Sequence, residues 1–95
     1  MALARVVSFE GVSQDRMDEM KREMSAGGGA PEGVPSSEII VLHDAEAEKS
    51  LVIVFFDSEA DYATGDEALN AMPAEDTPGR RSSVAKYEVA SRVTA

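Results

Sequence analysis

Between Ile39 and Phe56 the chain carries two strand-like runs with no polar side: Ile39, Ile40, Val41 and Leu42, then Leu51, Val52, Ile53, Val54, Phe55 and Phe56. A strand points successive side chains to opposite faces of its sheet, so a run without alternation calls for burial above and below. In a chain of 95 residues, two helices can cover one face of such a sheet, and little material is left for the other. The simplest cover for that second face is another copy of the same sheet. The pattern therefore predicts a homodimer.

Length and composition set the frame for this expectation. A chain of this size makes one domain, residues 1–95, able to bury roughly 60–70% of the surface its unfolded form exposes. Hydrophobic residues at 43% against 28% charged are those of a globular protein rather than a disordered one. The net charge of −9 repels nucleic acid and anionic lipid surfaces, so neither is expected as a partner. With no cysteine there are no disulfides, thiolate zinc sites or cysteine nucleophile, which suits a reducing compartment. The opening Met-Ala-Leu-Ala-Arg-Val-Val-Ser-Phe-Glu has no basic region followed by a long apolar core. No later run reaches the roughly 18 residues of a membrane helix. The expectation is a soluble, cytoplasmic protein.

A first strand is predicted from Leu3 to Phe9, with Val7 and Phe9 on one face and Ala4 and Val6 on the other, ended by Gly11. Ser13 suits an N-cap, and Asp15 adds favourable charge in the first turn of a helix reaching about Ala26. Met17, Met20 and Met24 give that helix one narrow apolar stripe amid charged residues. The triple glycine Gly27–Gly29 stops it, and the stretch to Pro35 reads as a loop. The two apolar runs then form an antiparallel pair across the longer loop Asp44–Lys49.

Ser58, with Asp61 three positions on, matches a helix-capping pattern. A second helix follows, with Tyr62, Leu69 and Met72 near one face, and Pro73 sets its end near Ala71 or Met72. A polar loop from Pro73 to Ser83 leads to a last strand of about Val84–Val93. There Ala85, Tyr87, Val89 and Val93 share one face and Lys86, Glu88 and Arg92 the other, as suits an edge strand. Tyr87 is expected in the core, with its hydroxyl bonded at the edge.

The order β-α-β-β-α-β is the ferredoxin-like split βαβ motif, an α+β fold. Right-handed crossovers put both helices on one face of an antiparallel sheet and leave the other bare. The segments that carry this order are Val6–Gly11 opening into a helix, Gly33–Asp44 leading into the second strand, Phe55-Phe56-Asp57-Ser58-Glu59-Ala60, and Tyr87-Glu88-Val89. In these the chain resembles the dimeric α/β-barrel superfamily, and within it the antibiotic biosynthesis monooxygenase-like domains. Phe56 stands where look-alike domains often carry a Trp. The resemblance implies two sheets packed face to face in a dimer. It also implies that a ligand pocket, where one is present, lies between helices and sheet. Its members include cofactor-independent monooxygenases, haem-degrading enzymes, isomerases and small proteins with no assigned reaction.

Candidate chemistry is sparse. His43 is the only imidazole and Asn70 the only asparagine; they are the nearest candidates for a general base and an anion-stabilising donor, and neither is assigned a catalytic role. Asp44 cannot orient His43, because adjacent strand residues point to opposite faces. Asp15, Glu19 and Glu23 form a carboxylate stripe, but interleaved Arg16, Lys21 and Arg22, with an Asp18–Arg22 pair, make it a solvated face rather than a metal site. The methionine stripe fills core or lines an adaptable pocket; in the second case Phe9, Met20, Met24 and Tyr62 are the ligand-binding candidates. Gly27–Gly29 lacks the lysine and hydroxyl residue of a phosphate loop and follows a helix instead of preceding one. Arg80 and Arg81 suit a solvated loop better than an anion site, and one histidine without a nucleophile elbow gives a hydrolytic triad little support.

Two functional expectations follow. The first is a small homodimer of unassigned activity, binding a small apolar or aromatic molecule between helices and sheet without a cofactor. The alternative is a cofactor-independent monooxygenase acting on a phenolic or polycyclic substrate, which requires His43 or Asn70 to face an enclosed cavity.

Overall fold

The computed structural model describes residues 2–27, 33–72 and 77–94. Its elements are β1 (Leu3–Glu10), α1 (Gln14–Gly27), β2 (Glu38–Asp44), β3 (Lys49–Phe56), α2 (Glu59–Asn70) and β4 (Arg80–Glu88). The strands form one antiparallel sheet in the order β2-β3-β1-β4. This α+β arrangement fits the ferredoxin-like motif, with β2 and β4 as its edges.

Local chemistry explains the boundaries. Gly11, at φ 71°, takes the left-handed turn that ends β1, a conformation glycine adopts without steric cost. Ser13 and Ser58 cap the two helices, their Oγ atoms accepting from the backbone N–H of Arg16 and Asp61 at 3.1 Å each. In the β2–β3 loop Asp44 Oδ1 accepts from Ala47 N at 3.1 Å. Gly28, Gly29 and Pro73, expected to end the helices, lie outside the described residues.

The helix side of the sheet holds two buried clusters. Val7, Phe9, Val12 and Met17 make one, and Leu3, Val34, Val54, Phe56 and Tyr62 the other, with Val52 packed against both. By alternation the helix-free face carries Val6, Ile40, Leu42, Leu51, Ile53, Phe55 and Tyr87. Leu42 is 49% and Tyr87 58% exposed there, so over β2 and the start of β3 the described residues cover the doubly apolar runs on one side only.

The last strand differs from expectation. It runs Arg80–Glu88 rather than Val84–Val93, because β1 extends to Glu10 and offers partners to the polar stretch before Val84. A bulge at Ser82 of β4, across from the Ser8–Phe9 step of β1, sets Phe9 opposite Arg81 and Glu10 opposite Arg80, and Arg80 pairs with Glu10 at 3.2 Å. The faces are also reversed in meaning. Lys86 lies opposite Arg5 and over the Tyr62 ring, on the helix side, whereas Tyr87 is exposed on the helix-free side instead of sitting in the core. Beyond Glu88 the chain crosses that bare face at one end, where Arg92 stacks on Phe55 at 4.6 Å and pairs with Glu38 at 3.6 Å. No described helix is long and apolar enough to cross a membrane.

Candidate functional site

Between α1, the C-terminal part of α2 and the sheet lies a cleft of about 340 Å³. Its floor is Val7, Phe9, Val41, Val52 and Val54, and its walls are Met20 and Met24 from α1 with Leu69 near the end of α2 and Met72 just beyond it. The volume falls within the roughly 300–1,000 Å³ of small-molecule sites. The amphipathic register of α1 builds the wall. Met17 is buried at 2% exposure and anchors the helix, while Met20 and Met24, one and two turns further on, are half-buried and face the cavity.

Of the four ligand-binding candidates, Phe9, Met20 and Met24 line this cleft and Tyr62 does not. Tyr62 packs edge-on against Phe56, ring centroids 5.4 Å apart, and Lys86 Nζ sits 4.8 Å above its ring. Burial, with the nearby Asp66 carboxylate, pushes the Tyr62 phenol above its usual range. The hydrogen bond that Lys86 donates to Glu59 at 2.7 Å raises the Lys86 ammonium.

One end of the cleft is cationic. Arg5, 3% exposed, stands in the middle of β1 on the helix side. Its Nε donates to Asp66 Oδ1 at 2.8 Å and its Nη2 to Asn70 Oδ1 at 2.9 Å. The same Asn70 oxygen accepts from Arg81 Nη1 at 2.8 Å, and Asn70 Nδ2 donates to Asp66 Oδ2 at 3.3 Å. Two guanidinium groups thus converge on one neutral carbonyl. A charged residue interrupting the apolar run Leu3-Ala4-Arg5-Val6-Val7 was the available signal for Arg5, since an arginine is rarely buried unless paired. For Arg81 the signal was hidden by its assignment to a loop; as a β4 residue it lines the cleft.

His43 and Asn70 are not brought together at this cleft. Asn70 is exposed, with its amide committed as above. His43 is half-buried at the far end of β2, its Nε2 3.1 Å from the Val12 carbonyl oxygen. It borders a larger depression of about 520 Å³ that draws mainly on the helix-free face through Ser8, Leu42, Leu51 and Ser83. That depression belongs with the exposed sheet rather than with a space walled by helices.

On α1, Arg16 pairs with Glu19 at 2.9 Å and lies 3.9 Å from Glu23. Asp18 accepts from Gln14 and pairs with Lys21 instead of Arg22. No group of three potential metal ligands occurs among the described residues. No family model, curated protein or solved structure matches the chain. The geometry by itself defines an α+β domain of ferredoxin-like strand order with an apolar, cation-tipped cleft on its helix side.

Proposed function

We propose that this protein is a homodimeric small-molecule-binding protein whose site is the cleft between helices and sheet. The observation that carries the reading is the cleft itself, a space walled by three adaptable methionines over a largely valine floor, where an apolar body would leave water. The dimer belongs to the same reading. Ile40, Leu42, Leu51 and Tyr87 stay exposed on the helix-free face, and a contiguous apolar patch of that kind marks an interaction surface. A second copy packed sheet to sheet covers it as the dimeric α/β-barrel superfamily does, and the strand order supports that assignment. Oxygenation of a phenolic substrate draws no support from this geometry, because His43 and Asn70 line no part of the cleft.

The test is calorimetric titration of the full chain with a neutral bicyclic probe, 2-naphthamide, alongside light scattering behind a sizing column. Saturable binding that Met24→Trp abolishes, with a mass near twice 10.1 kDa, is the expected result. Absence of binding removes the ligand reading, and a monomer at micromolar concentration removes the dimer.

A further inference from the structure

We propose that the natural occupant of the cleft is an amphipathic monocarboxylate, its acid group held at the mouth by Arg81 and Arg5 and its apolar body between Met20, Met24 and the valine floor. The inference rests on the ligand-binding reading above and adds the chemical class.

Its basis is the arrangement around Asn70. Arg5 Nη2 and Arg81 Nη1 both donate to the one Asn70 oxygen, so two cations are held against a neutral acceptor. Asp66 compensates the charge of Arg5 at 2.8 Å. Arg81 has no carboxylate partner among the described residues, although the chain carries twice as many acidic as basic side chains, 18 against 9. One uncompensated guanidinium matches a single negative charge, and its planar fork fits a carboxylate in two-point contact. Arg5 adds to this, since its Nη1 has no hydrogen-bond partner among the described residues while Arg5 lines the cleft.

The remaining lining fixes the ligand's other end. Beyond the arginines the cleft offers mostly hydrocarbon and thioether surface, with Glu23 at its rim. Glu23 lies 3.9 Å from Arg16 and is 62% exposed, so its charge is largely spent in solvent. The overall charge of −9 opposes an anion only at long range, and at physiological salt it is screened beyond about 8 Å. Inside that distance Arg81 is the cation left without a carboxylate among the described residues, Arg5 being offset by Asp66.

The experiment compares 2-naphthoic acid with 2-naphthamide, which shares its apolar body and lacks its charge, by titration calorimetry on the wild type, Arg81→Met and Arg81→Lys. The wild type is expected to bind the acid at least tenfold more tightly than the amide. Arg81→Met should erase that preference by weakening the acid about tenfold more than the amide, the loss of one charge-assisted hydrogen bond being worth about tenfold. Arg81→Lys should retain part of it. Thermal melts establish that each variant is folded. Equal affinity for acid and amide overturns the carboxylate inference and leaves the cleft standing as an apolar site. Binding of neither compound overturns both.

Discussion

Replacing Gly65 by alanine should destabilise the protein, although the same change in an exposed helix is stabilising. A Cβ at Gly65 would come within 2.5 Å of Phe56 Cζ and closer still to Cε1. Carbon atoms in contact sit at roughly 3.5–4.0 Å, so ring or helix must move by about 1 Å. The ring has nowhere to go, since Phe56 is 0% exposed and wedged against Tyr62. Helix propensity favours alanine by about 1 kcal/mol, and overpacking a filled core costs about 1–3 kcal/mol, sometimes more. With so deep an overlap the upper end applies, leaving a net loss of about 2 kcal/mol. For a domain of this size that lowers Tm by roughly 8–16 °C. The readout is thermal and urea unfolding of Gly65→Ala, Phe56→Leu and the double variant. A smaller residue at 56 should absorb part of the Gly65→Ala cost, giving a coupling energy of about 1 kcal/mol in the cycle. A Gly65→Ala protein that melts at or above the wild-type temperature would show that α2 does not rest on Phe56 as described. Because Asp66 and Asn70 ride on the same helix, lifting α2 also pulls both from Arg5, so the variant should lose acid affinity at the cleft.

Further consequences can be checked separately. Asp66→Asn leaves buried Arg5 without a counter-charge. Urea unfolding should show a loss of about 1–3 kcal/mol, less than for a fully buried pair because the Asp66 side chain is 36% exposed; an unchanged midpoint would mean that water already compensates Arg5. Tyr62, with its phenol above the ordinary 10.0, keeps its proton when folded at a pH where the unfolded chain releases it, so its contribution is complete below pH 10 and is lost as pH climbs through the folded value. Lys86, raised above 10.5 by Glu59, acts in the same sense, and melts between about pH 9 and 11 should fall less steeply for Tyr62→Phe than for the wild type. Parallel curves would contradict the burial of the phenol. Under the proposed sheet-to-sheet dimer, Leu42→Glu places a charge in the interface and should halve the mass seen by light scattering, whereas an intact dimer would locate the interface elsewhere.

Elements set by local chemistry were legible in the sequence. Ser13 and Ser58 announce the helix starts, Gly11 ends β1, and the apolar runs give β2 and β3 within a residue or two. The largest differences from expectation lie in β4. Alternation correctly separated Lys86 from Tyr87, but periodicity does not say which face meets the helices, so the apolar side was assigned to the core. The polar stretch Arg80–Ser83 looked like a loop because its strand character comes from pairing with β1 through a bulge, a tertiary effect with no local signature. The same blindness hid Arg81 from the site. Tyr62 shares the helix side with the methionines, but the structure gives it to the Phe56 cluster, where Gly65 lets α2 rest against the Phe56 ring.

The cleft and the bare sheet face have one physical origin. A chain of 95 residues that builds a four-stranded sheet has two helices with which to cover it, and the single methionine stripe of α1 is narrow. On the helix side the shortage leaves an unfilled space between α1 and the strands. On the other side it leaves Leu42 and Tyr87 half in water. Neither deficit can be met from within the described chain without more apolar side chains than α1 carries, and under the proposed function both are met by binding. Anything that binds the folded form and not the unfolded one adds stability by mass action. The melting temperature should therefore rise with protein concentration through the sheet face, and again with ligand through the cleft. The two increments should be additive, because the bare sheet face and the cleft lie on opposite sides of the sheet and share no side chain.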